Sequence, residues 1–388
     1  MEHHRKFQHT QVGFVAVLTE PVHIETGMEY VKNIFQENKN LTAIPVEGDS
    51  GVIGIVEKKT LLKEHGVLDN LLHGKLRHFL NENVSIVDAR EHVERTLPLL
   101  LGSSPEIIEH SMVFHLGKFY GILNTHTLLN HIFALRNDSL ERAKTIQTHL
   151  TGTSTYTHGC FHAAVHVEQA HALGGDFFQM CRLSDCVSIV SCFDVSGKDI
   201  QASLLTGLIS GYFSAIETSP KVLGFGEEEI VHNLHQIIRN RTPDDIFVAG
   251  IMIFYNSESR TINMYNMGYS PVYIITREEN RRKIRVKNPP LPPLGFPSLT
   301  LDRDSVLTVR QGDNLILFGY SDGLTDAHDQ HGNEYGEERV TQMVQKVLGE
   351  KSTDIADRLL ENVMSFIGTS PRTDDITVFQ IECLEEGA

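Results

Sequence analysis

Aspartates at the ends of apolar segments constrain the fold of this chain more than any other feature of its sequence. From residue 157 onward, short β-rich runs alternate with turns that contain Gly and Asp. An aspartate at the end of a buried strand either forms a turn or is a ligand held outside the core, and the turn is the commoner role. The aspartates in such positions are Asp176, Asp194, Asp322, Asp374 and Asp375.

The recurrence of this pattern at four sites favours a cation site over four unrelated turns. Lysines and arginines do not match these carboxylates one for one. Uncompensated carboxylates that are brought together need cations. Because the set contains hard oxygen ligands and neither His nor Cys, it indicates Mg²⁺ or Mn²⁺ rather than zinc.

The apolar runs of the same region predict a sheet-rich α+β domain. Several runs are apolar at almost every position, as expected for strands buried on both faces. Strands are predicted at residues 161–167, 187–193, 247–255, 314–318 and 376–381, and helices at residues 200–217 and 227–239.

An internal repeat occupies the first third of the chain. Gly54 and Gly121, Ile55 and Ile122, and Thr60 and Thr127 share one offset of 67 residues. A helix-like stretch (residues 28–38 and 91–101) and a strand-like stretch (residues 42–46 and 107–114) precede each copy. The order helix, strand, turn, strand, helix is therefore predicted twice.

This repeat resembles a tandem pair of cystathionine beta-synthase (CBS) domains, an α/β module, over residues 8–132. The resemblance implies a small-molecule ligand. Where that family commonly holds a nucleotide's phosphate and ribose, this chain has Glu57 and Thr60 in one copy and Asn124 and Thr127 in the other. A pair of modules that only pack or dimerise is the alternative.

Residues 130–150 have the spacing of a connecting helix, with apolar residues at 132, 135, 140, 143, 146 and 150. Residues 137–139 (Asn-Asp-Ser) either interrupt this helix or cap a second one. The narrow apolar strip suits pairing of two protomers or packing on its own domain.

The second region resembles the metal-dependent protein phosphatases of the protein phosphatase 2C-like (PPM) superfamily, and within it the stage II sporulation protein E-like bacterial group. Seven motifs of that group occur in order. They are residues 174–179 (GGDFFQ), 194–199 (DVSGKD), 202–205 (ASLL), 268–271 (GYSP), 293–295 (PLG), 321–327 (SDGLTDA) and 374–377 (DDIT).

The resemblance implies an αββα β-sandwich and two Mn²⁺ or Mg²⁺ ions that share a bridging water, which attacks phosphoserine or phosphothreonine. By position, Asp194 bridges both metals and the Val195 carbonyl completes one of them. Asp322 and Asp374 hold the second metal, and Asp176 acts through a metal-bound water. Asp375 is a further, lower-ranked ligand.

Two departures from the family pattern leave an alternative function open. Gln179 replaces an outer carboxylate, and Asp199 replaces a glycine near the approach of the substrate phosphate. The first hypothesis is an active phosphatase whose substrate is a phosphorylated signalling partner, such as an anti-sigma-factor antagonist. The second is a non-catalytic, ligand-sensing scaffold with a degenerate phosphatase-like domain.

These assignments divide the chain into a regulatory module (residues 1–132), a connecting helix (133–156) and a phosphatase domain (157–388), and they suggest a homodimer. The formal net charge of −16 argues against nucleic acid as a partner. The longest apolar run, residues 246–255, is half of a membrane span, so no membrane partner is expected. Five cysteines without C-x-x-C pairs, and no signal peptide pattern, indicate a cytoplasmic protein.

One basic cluster lies in this acidic chain, between residues 277 and 287. A solvated hairpin is one interpretation. The other is a docking site for an acidic partner protein.

Overall fold

The structure is a computed structural model. It describes residues 6–63, 76–101, 108–151, 154–197, 200–218, 225–243, 245–278, 281–302, 305–310, 315–349 and 354–383. The chain divides into an N-terminal unit, residues 1–139, and a C-terminal unit, residues 140–388. Among the helices within these ranges, none is both long enough and apolar enough to cross a membrane.

Two small sheets form the N-terminal unit. One has the strand order β1 (Val22–His23), β2 (Ala43–Gly48), β3 (Gly51–Glu57), β4 (Leu80–Asn81), and the other has the order β5 (Ser85–Asp88), β6 (His110–His115), β7 (Lys118–Asn124). The first strand of each sheet is parallel to the second, and the remaining pairs are antiparallel. The helices are α1 (Val12–Val15), α2 (Met28–Glu37), α3 (Lys58–Lys63) and α4 (Val93–Leu101).

The internal repeat is present in the structure. The bounds of β2 and β6, and those of β3 and β7, differ by 67 residues, and each pair has the same burial pattern. The ladder of each hairpin is irregular at the same relative position, after Val46 and after Val113. Gly54 and Gly121 are required because a Cβ atom there would collide with the carbonyl oxygens of Asn81 and Val17, respectively.

A single helix, α5 (Thr125–Thr151), contains residues of both units. It begins earlier than predicted, directly after β7. The Asn-Asp-Ser segment at residues 137–139 neither interrupts nor caps it. Ser139 is accommodated in the helix interior because its hydroxyl donates to the Leu135 carbonyl of the preceding turn at 3.0 Å.

The C-terminal unit contains two large sheets. The five-stranded sheet has the order β10 (Phe177–Arg182), β11 (Val187–Val195), β12 (Val248–Asn256), β13 (Thr261–Met267), β16 (Leu307–Arg310). The six-stranded sheet has the order β15 (Arg281–Lys287), β14 (Val272–Glu278), β17 (Leu315–Tyr320), β18 (Ile376–Cys383), β9 (Phe161–Glu168), β8 (Thr155–His158). All described neighbours in these two sheets are antiparallel.

Helices cover the outer faces of both sheets. They are α6 (Ile200–Thr218), α7 (Glu227–Arg241), α8 (Asp322–Thr325), α9 (Gly336–Gly349) and α10 (Ile355–Ile367). Phe161 and Phe379 belong to the core between the sheets, and Phe193 packs with Phe213 of α6 on one outer face. Phe318 belongs to the core beneath α9 and α10 on the other. The order helix, sheet, sheet, helix confirms the predicted αββα fold, and burial on both faces explains why β17 is apolar along its length.

Candidate active site

The strands of the C-terminal unit bring the predicted aspartates to one end of the sandwich. Asp194 is the second-last residue of β11 and pairs with Ala249 of β12. Asp176 immediately precedes β10, whose Phe177 pairs with Phe193 of β11. Asp322 follows β17, and Asp374 precedes β18 in the adjacent position, since Tyr320 pairs with Val378. Antiparallel pairing therefore gathers residues that are up to about 200 positions apart in the chain.

Asp194 and Asp322, whose strands belong to different sheets, lie close enough for each carboxylate to perturb the pKa of the other. Asp176 is 3% exposed, and its Oδ2 accepts a hydrogen bond from the Thr377 hydroxyl at 2.6 Å. Two carboxylates this close repel each other unless a proton or a cation lies between them.

The electrostatics of the site are dominated by burial and by like charge. Burial, followed by the charges of Asp322 and Asp374, raises the pKa of Asp194 to about 7. Burial and the charge of Asp194 raise the pKa of Asp176 well above its ordinary value, while the Thr377 hydroxyl opposes this effect. Burial, Asp326 and Asp374 raise the pKa of Asp322. A divalent cation is the group that relieves this repulsion, so the residues fit the predicted metal site.

The glycines of the site permit close approach of the backbone. A Cβ atom on Gly175 would lie 2.8 Å from the Val195 carbonyl oxygen, the predicted backbone ligand. The Val195 N–H donates to the Gly175 carbonyl at 3.3 Å. A Cβ atom on Gly323 would collide with the Asp375 carbonyl oxygen. Larger residues at either position would displace the loops that carry Asp176 and Asp322.

Asp375 has a different environment from the other aspartates. Its Oδ1 accepts from the Ala170 N–H at 2.7 Å, and its Oδ2 accepts from the N–H groups of Gly175 and Asp176 at 2.7 and 3.3 Å. The carboxylate therefore ties the loop that carries Asp176 to the start of β18. Its position at the site agrees with the motif, and its contacts are those of a residue that positions a loop.

Residues that the sequence reasoning did not single out also shape the site. Gln147 of α5 is 4% exposed, and its Nε2 donates to the Gly174 carbonyl at 2.7 Å and to Thr206 Oγ1 of α6 at 3.2 Å. The Gly174 N–H donates back to Gln147 Oε1 at 3.3 Å. Gln147 thus holds both backbone groups of the residue two positions before Asp176. The only indication of this role in the sequence is that Gln147 lies next to Ile146 of the predicted apolar strip, between Ala143 and Leu150.

Gln179, the first departure from the family motif, also contacts this helix. Its Nε2 donates to the Leu150 carbonyl at 2.8 Å and to Ser210 Oγ at 3.1 Å. The amide therefore links β10, α5 and α6, a contact that a carboxylate cannot donate. Asp199, the second departure, lies outside the described residues, as does its neighbour Lys198.

A second group of titratable side chains lies in the N-terminal unit. One ligand atom each of Glu57, Glu109 and His110 lies within 4.8 Å of the others. His110 Nδ1 bonds Glu57 Oε1 at 3.1 Å, and the Lys59 ammonium forms ion pairs with both glutamates. Lys59 thus offsets part of the charge of the two glutamates, in contrast to the aspartate site, where the neighbours that raise the pKa values are other carboxylates.

Comparisons with known proteins agree with the geometry. The family described as stage II sporulation protein E (SpoIIE) matches residues 186–384. Protein IcfG of Synechocystis sp. (strain ATCC 27184 / PCC 6803 / Kazusa) is 23% identical over 238 residues, which cover 55% of this chain and 36% of that relative. The chain thus matches about a third of the length of this curated relative.

A solved structure shares the fold of about two thirds of this chain. The SiaA-PP2C domain of Pseudomonas aeruginosa superposes with a TM-score of 0.52 at 16% identity, covering 65% of this chain and 98% of that one. The RsbU and RsbW domains of Rv1364c from Mycobacterium tuberculosis give a TM-score of 0.48 at 15% identity, covering 61% of this chain and 64% of that one. The family match spans half of the chain, and the chain belongs to the stage II sporulation protein E family.

Proposed function

We propose that this protein is a metal-dependent serine/threonine protein phosphatase. The observation that carries the proposal is the group of carboxylates at one end of the sandwich, in which Asp176 is buried, Asp194 is half-buried and Asp322 is exposed. Desolvation and the charges of neighbouring carboxylates raise the pKa values of all three. Membership of the family supports the same function.

Asp176, Asp194, Asp322 and Asp374, with the Val195 carbonyl, are proposed to hold two Mn²⁺ or Mg²⁺ ions. Such ions supply a nucleophilic water and neutralise the charge of the phosphoryl group. Thr377 orients the carboxylate of Asp176. We assign Asp375 to positioning of the Asp176 loop, because backbone N–H groups already occupy both of its oxygens.

The proposed substrate is a phosphoserine or phosphothreonine in a signalling partner, such as an anti-sigma-factor antagonist. The proposed organisation is a CBS-like regulatory module (residues 1–132), a connecting segment (133–156) that contains most of α5, and the phosphatase domain (157–388), assembled as a cytoplasmic homodimer. A cleft of about 900 Å³, lined by residues between Val17 and Leu41, supports a small-molecule ligand for the regulatory module.

Regulation is proposed to act through α5. Gln147 and Leu150 of this helix bond the Asp176 loop, β10 and α6 within the C-terminal unit. A rotation or shift of α5 would break these bonds and release the loop that positions Asp176. The helix is therefore a physical route by which a signal can change the affinity for metal.

Hydrolysis of a phosphothreonine peptide and of p-nitrophenyl phosphate by the full chain, titrated with Mn²⁺, tests the function. Wild type is expected to turn over both substrates only with metal, and Asp194→Ala to lose about 10³-fold in kcat. Asp185→Ala is the matched control, since Asp185 is an exposed aspartate in the β10–β11 turn. Stoichiometric Mn²⁺ binding without turnover of either substrate would support the scaffold function instead.

A further inference from the structure

The six-stranded sheet ends in a basic strand. β15 is the outermost described strand on its side and pairs with β14. Lys283, Arg285 and Lys287 alternate along β15 and are exposed. They share one face of the strand because side chains alternate with a period of two. On a chain with a net charge of −16, this strand concentrates positive charge.

The basic side chains occupy the face that is apolar on the next strand. Arg285 pairs with Ile274 and Lys287 pairs with Val272, and both partners belong to the core between the two sheets. Ile284, on the opposite face, packs against the core beneath α9 and α10. The charged face of β15 therefore extends beyond the edge of the core and is exposed.

An apolar cavity adjoins the end of this charged row. It has a volume of about 200 Å³, enough for one side chain, and most of its wall is apolar, with Lys287 and two asparagines as the polar residues: Ile251, Met264, Asn266, Val272, Lys287, Asn288, Pro290, Val306 and Leu307. An exposed strand edge beside such a cavity suits an extended peptide, which contributes backbone hydrogen bonds and places alternate side chains in pockets.

The register of the strands leads from this edge toward the active site. Val286 pairs with Tyr273, and Tyr273 pairs with Phe318 of β17, whose strand ends just before Asp322. Lys287 of β15 is two strand spacings from β17, and Asp322 lies about three residues farther along the chain than the position of β17 level with Lys287. These two distances place Lys287 roughly 15 Å from Asp322. Lys283 lies roughly 13 Å farther away along the same strand.

We propose that β15 is the docking strand for an acidic segment of the phosphoprotein substrate, an inference that rests on the proposed phosphatase function. At about 3.3 Å per extended residue, the acidic residues lie about five to nine positions from the phosphorylated residue. The basic strand attracts the substrate, and the register directs its phosphorylated end to the aspartates.

Charge and shape favour a protein segment over nucleic acid as the occupant. The overall charge of −16 repels a long polyanion that extends past the strand. A short acidic peptide, by contrast, meets only the basic row and the strand edge.

Peptides that differ only in the flanking charge test the proposal on the full chain with Mn²⁺. Each contains one phosphothreonine, with either Glu or Ser at positions five to nine on its N-terminal or C-terminal side. The variants are K283E/R285E/K287E and the neutral K283Q/R285Q/K287Q. The control R182E/R241E/K346E makes the same charge change at exposed positions elsewhere in the C-terminal unit.

When the Glu residues are on one particular side of the phosphothreonine, N-terminal or C-terminal, wild type and the control are expected to hydrolyse the Glu peptide with about tenfold higher kcat/KM than the matching Ser peptide at low salt. K283E/R285E/K287E is expected to lose this preference, and K283Q/R285Q/K287Q to lose most of it. Hydrolysis of p-nitrophenyl phosphate is expected to change less than twofold, and high salt to abolish the preference.

Fluorescence anisotropy with the unphosphorylated acidic peptide separates docking from catalysis. Binding that depends on the β15 side chains supports docking even if no substrate is hydrolysed, an outcome that would overturn the phosphatase function alone. Equal peptide hydrolysis and binding by wild type and K283E/R285E/K287E would overturn docking and leave the basic residues as protection of a strand edge against aggregation. Tighter binding of a DNA duplex or of phosphatidylserine vesicles than of the peptide would also overturn it.

Discussion

The two units of this protein treat buried charge in opposite ways. In the N-terminal unit, Glu57 faces His110 and Lys59, so its charge is matched within the chain. Burial lowers the pKa of His110, and Glu57 opposes that effect. In the C-terminal unit, Asp176 and Asp194 face other carboxylates, and their pKa values are raised. Glu57 thus has a cationic partner within the chain, whereas the aspartates would gain theirs from the metal ions of the proposed function.

Substitution of Asp176 tests this contrast with the largest expected effect. Asp176→Asn removes a buried charge and keeps an acceptor for the Thr377 hydroxyl. We expect at least a hundredfold loss of kcat with Mn²⁺, together with an unchanged or higher melting temperature of the metal-free protein at pH 8. A melting temperature that falls by several degrees without metal would contradict the view that the site is uncompensated.

The dependence of stability on pH sharpens the comparison. The folded-state pKa values of Asp176 and Asp194 are raised, so both groups contribute stability that is fully present below the unfolded value of about 4. The contribution of Asp194 is lost as pH rises through about 7, and that of Asp176 is lost as pH rises through its own raised pKa. We expect the metal-free C-terminal unit to unfold more easily at pH 8 than at pH 5. Added Mn²⁺ at a hundred times its Kd would restore about 2.7 kcal/mol.

Calorimetry of the full chain in EDTA and in Mn²⁺ measures this effect. Because metal binding requires ionised carboxylates, the stabilisation by Mn²⁺ should be greater at pH 8 than at pH 5. Stability without metal that rises between these pH values would contradict the prediction. The transition of the N-terminal unit serves as the internal control, since Mn²⁺ should not shift it.

Gln147 is a third case, a buried polar group that is neutral and fully bonded. Gln147→Ala leaves both backbone groups of Gly174 without their partner, at a cost of about 1–3 kcal/mol. We expect the Mn²⁺ concentration for half-maximal activity to rise about tenfold. Ile146→Ala is the matched control on the same helix, because Ile146 is 62% exposed. Equal metal requirements for the two variants would argue against a role for α5 in positioning the site.

The smallest effect is expected in the matched network. Glu57→Gln removes the charge that Lys59 and His110 face, so we expect the N-terminal unit to lose about 1 kcal/mol. This loss of stability has the opposite sign to the change predicted for Asp176→Asn in the metal-free protein, which is zero or a gain. Hydrolysis of p-nitrophenyl phosphate should remain unchanged, and denaturant unfolding of both variants measures the two signs side by side.

Much of the fold could be predicted from local patterns. The segments that form β11 and β17 are apolar on both faces because the other sheet packs on one face and helices pack on the other. Such continuous apolar runs can be recognised in a sequence. The offset of 67 residues predicted two matching hairpins, with Gly54 and Gly121 at equivalent close approaches. Predicted helix ends differ from the observed ends by a few residues, since caps and fraying are decided by neighbouring groups.

The α5 strip shows what such patterns leave open. The spacing placed Ile146 on an apolar strip that pairs protomers or packs on its own domain, and within one chain Ile146 is exposed and Gln147 is buried. Adjacent residues on a helix differ by 100° in direction, so the partner surface decides which of them is inside. Gln147 is tolerated there because Gly174 and Thr206 supply its hydrogen bonds, and those residues are 27 and 59 positions away.

The sequence by itself determined the fold class, the repeat and the set of aspartates at strand ends, because these depend on residue type and short-range spacing. Only the tertiary structure decided which carboxylates face one another and which are held by the backbone. Asp374 and Asp375 are neighbours in sequence, yet the oxygens of Asp375 are bonded to a loop 200 residues away. Electrostatic and hydrogen-bonding roles depend on distance in space, and antiparallel pairing of distant strands sets that distance.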